Sequence, residues 1–208
     1  MRSQEVEAPM AITPAHESAI SAPWGEYVVG VGPLSADLFA QLPVEDGWKL
    51  ELHQARLLRM PGPGYDHAEI LARLIELINP YMRTHQLGRL VGTSCYVLSA
   101  GDVLCPDLSY VQPARLAQAP RQGSYPILAP DLVIEIISPT DVKSKVREKL
   151  NVYVANGVRL LWVIWPATRT IDVWRPGAPT ATLRASDTLD GADVIPGWVA
   201  PVSDVFSV

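Results

Sequence analysis

The chain has 208 residues, 48% of them hydrophobic and 19% charged, with a formal net charge of −5. That is enough chain for one well-packed domain plus arms, in an ordinary globular balance. The acidic balance excludes a general nucleic-acid-coating protein, so any DNA contact has to run through a local basic groove or a metal that screens carboxylates. The two cysteines, Cys95 and Cys105, make neither a disulfide framework nor a C-x-x-C pair. They read as reduced thiols in a cytoplasmic protein and argue against structural zinc. No apolar run is long enough to span a bilayer, so no membrane partner is expected.

Residues 1–32 mix Pro, Ala, Ser and charge without periodicity and read as a partly ordered arm ahead of one domain over 33–208. Within the arm, Trp24 and the Tyr27–Val29 stretch are candidates for docking, for instance on a neighbouring subunit. Ser35 is placed to cap a short helix running to Leu42. Trp48 to Met60 reads as a hairpin, followed by the Pro61-Gly62-Pro63-Gly64 break. A strong helix then starts at Asp66, with Glu69 at capping-box spacing. Its apolar face comprises Ile70, Leu71, Leu74, Ile75, Leu77, Ile78 and Tyr81. Pro80 lies late in it, and Gly88 closes it. Leu90 to Leu98 and Leu108 to Val111 read as strands, and Pro113 to Tyr125 as a long surface loop.

The stretch from Ala129 to Trp165 organises the rest. Leu132 to Ile137 is an apolar run broken by one carboxylate, Glu135, and reads as a buried strand. A helix follows from about Asp141 to Asn156, stopped by Gly157. Val142, Val146, Leu150 and Tyr153 form its apolar stripe, and Lys149 falls on that same stripe. Leu160 to Trp165 is another buried strand, Thr170 to Trp174 pairs with it, and Thr182 to Leu189 is a last short strand. Hairpin, helix, strands, helix, strands is the order of an α/β or mixed α+β domain, with one mixed sheet flanked by helices.

A buried carboxylate and an inward amine each require a partner. Asp107 stands at the mouth of the Leu108 strand, and Glu51 alternates with leucines in the first hairpin. Asp107, Glu135 and Lys149 form a minimum kit for phosphodiester hydrolysis, in which carboxylates hold a hard divalent ion such as Mg²⁺. The lysine would orient water or steady the charged transition state. Glu51 extends the metal set. His67 and Lys145 are candidate substrate contacts, as are Arg115, Arg121, Lys143 and Arg147 for phosphate. The competing readings are a structural ion pair for Glu135 and Lys149, a turn aspartate for Asp107, and solvated faces for Glu51 and His67.

K-L-E-L-H at 49–53, G-Y-D-H at 64–67, P-D-L-S-Y-V at 106–111, P-D-L-V-I-E-I-I-S-P at 130–139, K-L-N-V-Y-V-A-N-G-V-R-L-L-W-V at 149–163 and I-P-G-W at 195–198 together form a recognisable set. In these the chain resembles the Uma2 family of putative restriction endonucleases, a branch of the PD-(D/E)xK nuclease superfamily, from about Leu42 to Phe206. The resemblance implies a restriction-endonuclease-like fold, a central mixed β-sheet flanked by helices. It also implies Mg²⁺-dependent cleavage of DNA, with Mn²⁺ able to substitute. Asp107 takes the position of the superfamily's Pro-Asp acid and Glu135 that of its second acid. Glu51 matches an acidic position in the family's first strand. The usual lysine two residues after the second acid is Ile137 here, and Lys149 on the following helix stands in for it. Ala55 replaces the glycine common at the first hairpin turn. Cutting both strands of a duplex calls for two sites, hence a homodimer. The contrary reading is a nuclease-like module without catalysis, serving binding or assembly, with Trp24, Trp174 and Trp198 as candidate subunit contacts.

Overall fold

The computed structural model describes residues 27–29, 33–43, 47–139 and 141–207. Strands in chain order are β1 (Tyr27–Val29), β2 (Trp48–His53), β3 (Arg56–Pro61), β4 (Val91–Gly92), β5 (Tyr96–Ser99), β6 (Asp102–Leu104), β7 (Leu108–Tyr110), β8 (Arg121–Gln122), β9 (Tyr125–Pro126), β10 (Leu132–Ile136), β11 (Leu160–Trp165), β12 (Thr170–Trp174), β13 (Ala181–Leu183), β14 (Thr188–Asp190) and β15 (Val199–Pro201). Helices are α1 (Ala36–Phe39), α2 (Tyr65–Thr84), α3 (Pro113–Gln118), α4 (Lys143–Ala155) and α5 (Val202–Val205).

The central sheet has six strands in the order β13-β12-β11-β10-β7-β4. Only β10 and β11 run parallel, with Glu135 opposite Val163; every other neighbouring pair is antiparallel. Parallel neighbours require a crossover, and α4 supplies it. All five residues of β10 are buried, as a strand covered on both faces requires. Its side chains alternate. Leu132, Ile134 and Ile136 join Leu160, Trp162 and Ile164 in a core closed by Ile70, Leu74, Ile78 and Met82 of α2. Val133 and Ile137, with Leu161 and Val163, face Val146, Leu150 and Tyr153 of α4. Glu135 shares this second face by its odd number. The inward stripe read from the sequence is therefore the packed face of α4.

A second sheet, antiparallel throughout, has the order β1-β3-β2-β6-β5. Gln54 and Ala55 join β2 to β3 with φ of 51° and 60°, the left-handed pair that matches hairpin twist. The Asp102 carboxylate fastens this turn, accepting from the Gln54 amide at 2.9 Å and facing His53 Nδ1 at 3.2 Å. Ser35 caps α1, its hydroxyl accepting from the Leu38 amide at 3.3 Å.

Several expectations change in three dimensions. Cys95 and Cys105 form a disulfide with their Cα atoms 4.0 Å apart, which overturns the reduced-thiol reading. The β5–β6 register pairs Tyr96 with Leu104, so the cysteines just outside that pair face each other; residue spacing alone carries no trace of this. Leu90 to Leu98 is not one strand, because Thr93 turns at φ 51° and sends β4 and β5 to different sheets. Pro113 to Tyr125 holds α3 and part of the small β8–β9 hairpin instead of a bare loop. Thr182 to Leu189 divides between β13 and β14, the latter pairing with β15. Helix α2 begins one residue earlier with Gly64 as its cap and no side-chain capping bond, so Asp66 and Glu69 form no capping box. Trp198 is core: its indole donates to the Leu77 carbonyl at 3.2 Å and its ring tilts against Trp162 at 5.6 Å. β1 pairs with β3 of its own chain, while Trp24 lies outside the described residues.

Candidate active site

Four elements converge on one point. β2 sends Lys49, Glu51 and His53 from the same face of the strand. Glu51 is only 1% exposed, and its Oε1 accepts from the Cys105 amide at 3.0 Å and from Lys149 Nζ at 3.0 Å. Lys49 Nζ lies 3.5 Å from the same oxygen. At the mouth of β7, Asp107 turns its Oδ2 to the Ile136 amide at 2.8 Å. Its Oδ1 faces Lys49 Nζ at 3.3 Å and His67 Nε2 at 3.4 Å. From β10, Glu135 Oε1 meets Lys149 Nζ at 2.9 Å and accepts from the Tyr153 hydroxyl at 2.8 Å. Lys149 and Tyr153 stand one turn apart on α4, so both reach the same carboxylate. Asp107, Glu135, Lys149 and Glu51 are thus gathered in space. Glu51 does not face water, and Asp107 does more than make a turn.

The electrostatics follow from burial set against mutual pairing. For Asp107, burial pushes the carboxyl upward, but Lys49 and His67 outweigh it and hold the group well below the ordinary range. Glu51 is also lowered: burial opposes ionisation, while Lys149 and Lys49 overcome it. Glu135 goes the other way. Burial dominates, the nearby Asp107 and Glu51 charges add to it, and its pKa is raised despite Lys149. Lys149 is raised as well, because Glu135, Glu51 and Asp107 outweigh the cost of burying its ammonium. Lys49 follows the same pattern against Asp107 and Glu51. Burial and then Glu135 drive the Tyr153 phenol far upward, so it stays a donor.

The cluster lines a cleft of about 200 Å³ together with Pro61, Gly62, His67, Asp141 and Lys145. Its oxygens suit a hard divalent cation. Glu51 and Glu135 already converge on one Nζ, and Glu51 and Asp107 on another. Among the described residues, no three acidic, histidine or cysteine side chains are arranged to hold an ion as they stand. The two ammonium groups sit between the carboxylates.

The remaining candidates fare differently. His67 reaches the site through Asp107, and Lys145 lines the cleft while pairing with Glu148 at 2.7 Å. Arg115 pairs at 2.6 Å with Asp131, a fully buried carboxylate that Arg159 and the Gln112 amide also hold. Arg121 donates to the Ser124 carbonyl at 3.1 Å, and Lys143 sits 5.9 Å over the Trp165 ring. Sequence reasoning missed Lys49 and Tyr153. Lys49 shares the parity of Glu51, and Tyr153 is i+4 from Lys149, so both signals were present. Ile137, at the superfamily's usual lysine position, is buried in the apolar cluster beneath α4.

Among solved structures, the fold is similar to that of a putative nuclease belonging to DUF820 from Anabaena variabilis ATCC 29413. The TM-score is 0.74, with 22% sequence identity, over 84% of this chain and 98% of that one. At that identity the likeness shows the fold, restriction-endonuclease-like, with a central mixed sheet flanked by helices. No curated protein matches the chain. No helix among the described residues is long and apolar enough to cross a membrane. The family model described as "Uma2: Putative restriction endonuclease" matches residues 36–203, and the chain belongs to that family.

Proposed function

We propose that the protein is a divalent-metal-dependent DNA endonuclease, with Asp107, Glu135 and Glu51 as the metal ligands and Lys149 as the cationic catalytic residue. The observation that carries this reading is the convergence of three carboxylates from β2, β7 and β10 on ammonium groups at the floor of an open cleft. When bound, Mg²⁺ would neutralise charge on the phosphoryl group and make water a better nucleophile, and Mn²⁺ would serve in its place. The chain's own groups do the rest. Lys149, kept charged by its carboxylate neighbours, cannot accept a proton from water. It acts as a fixed cation beside the charge that develops on the phosphoryl oxygens. The Tyr153 hydroxyl fixes Glu135, and the Cys105 and Ile136 amides fix Glu51 and Asp107. That positioning is what makes a charged site effective. His67 and Lys145, which line the same cleft, are the candidates to meet substrate phosphates. Action on both strands of a duplex by two copies of the chain belongs to the same reading.

A plasmid-nicking assay tests it. Wild-type protein with Mg²⁺ or Mn²⁺ converts supercoiled plasmid to open-circular or linear DNA. Asp107→Asn and Glu135→Gln, folded by thermal melt, lose at least about a hundredfold in rate. No nicking by the wild type at high protein with either metal overturns the proposal. It favours the second reading, a nuclease-like binding or assembly module, which the ammonium-filled carboxylates and Ile137 would suit.

A further inference from the structure

The chain has 13 arginines and only four lysines. Two of the four, Lys49 and Lys149, lie in the carboxylate cluster. Lys149 serves one end, between Glu51 and Glu135; Lys49 serves the other, between Glu51 and Asp107. With all three carboxylates ionised, Lys149 alone would leave two negative charges, which one divalent cation matches. Lys49 removes one of them.

The geometry points to Lys49 as a built-in competitor for the metal: its ammonium holds the Asp107 end of the cluster and leaves when a divalent cation binds there. This inference rests on the metal-dependent reading of the same site. Asp107 has one oxygen committed to the Ile136 amide, so Oδ1 is the oxygen turned to the cleft, and Lys49 stands on it at 3.3 Å. A cation that binds Asp107 through Oδ1 has to meet the Lys49 ammonium, and like charges at that range repel. Lys49 is able to leave. Its side chain is 18% exposed, and it lines both the catalytic cleft and a neighbouring one bounded by Trp48, Cys95 and Tyr125. Lys149, on α4 between Val146 and Tyr153, lines the catalytic cleft but not that neighbouring one, and two carboxylates hold it at 2.9 and 3.0 Å. One lysine therefore stays with the reaction, and the other sets how tightly the metal is held.

Titrating Mn²⁺ into the full chain by calorimetry, near neutral pH and at low ionic strength, tests this. Lys49→Met and Lys49→Gln are expected to bind Mn²⁺ at least about tenfold more tightly than wild type, while Lys49→Arg, which keeps the charge, is not tightened. Equal or weaker binding by the Met and Gln variants, with clear binding by wild type, overturns the inference and leaves the metal reading standing. Equal tightening by Lys49→Arg also overturns it, because charge would not be the cause. Absence of Mn²⁺ binding by wild type and every variant overturns both. Should the variants not fold, lysine-¹⁵N NMR of the wild type decides: the Lys49 ammonium resonance shifts on adding Mg²⁺ if it is displaced, and an unmoved resonance on a protein that binds Mg²⁺ overturns the inference.

Discussion

Replacing Lys149 by methionine separates a working cation from a passive ion pair. The ammonium lies 3.0 Å from Glu51 and 2.9 Å from Glu135, and its side chain is 21% exposed. Removing one partner of a buried pair costs about 3–5 kcal/mol, because a charge is left uncompensated. Two features reduce that here. Glu51 keeps the Cys105 amide and Lys49, and Glu135 keeps the Tyr153 hydroxyl. Glu135 can also escape by taking up a proton, since its pKa is already raised by burial. A net loss of about 2–3 kcal/mol at pH 8 follows, or roughly 4–12 °C in melting temperature for a domain of this size. The sign with pH is set by Glu135. A folded-state pKa above the unfolded value means the folded chain binds the proton more readily, so the deficit shrinks as pH falls from 8 toward 5. Nicking activity falls by a further factor of about 10²–10³, beyond any loss from instability, if the ammonium stabilises the transition state. Thermal melts across pH, paired with plasmid nicking below the melting range, measure both. A Lys149→Met protein as stable as wild type at pH 8, or a deficit that ignores pH, refutes the electrostatic account.

Other consequences are open to measurement. Asp107 and Glu51 titrate below their ordinary values in the folded chain, so the stability they contribute is complete above about pH 4–5 and drains as pH falls below that. A melting curve series from pH 7 to 2 should show a loss that Asp107→Asn partly flattens; parallel curves would contradict it. Ala55→Gly should stabilise the hairpin by about 0.5–1 kcal/mol in urea titration, since Ala55 sits at φ 60° where only glycine is unstrained. An unchanged or lower midpoint would count against backbone strain there. Gly191→Ala should cost about 2–3 kcal/mol, because the new Cβ would lie 2.6 Å from the Ile195 Cβ and against its carbonyl. A wild-type melting temperature for that variant would show that the 191–195 turn yields easily.

Much of the architecture was legible because it is local. The apolar run from Leu132, the stripe on α4 and the β2–β3 hairpin are periodic patterns that secondary structure enforces residue by residue. The inward aim of Lys149 and the burial of Glu135 follow from those same periods, and so the main carboxylate–amine encounter could be foreseen. What chain order could not supply was pairing across distance. Whether Leu90 to Leu98 forms one strand or two depends on a left-handed Thr93 and on which sheet claims each half. The disulfide depends on the register of β5 against β6, a one-residue matter invisible in spacing. The partnership of Arg115 with buried Asp131 likewise appears only once the fold sets them side by side. The parity of β2 puts Lys49 on the face of Glu51, but only the approach of β7 brought Asp107 within reach of its ammonium. The periods of helix and strand say which way a side chain points; only the packed sheet order says what it finds there.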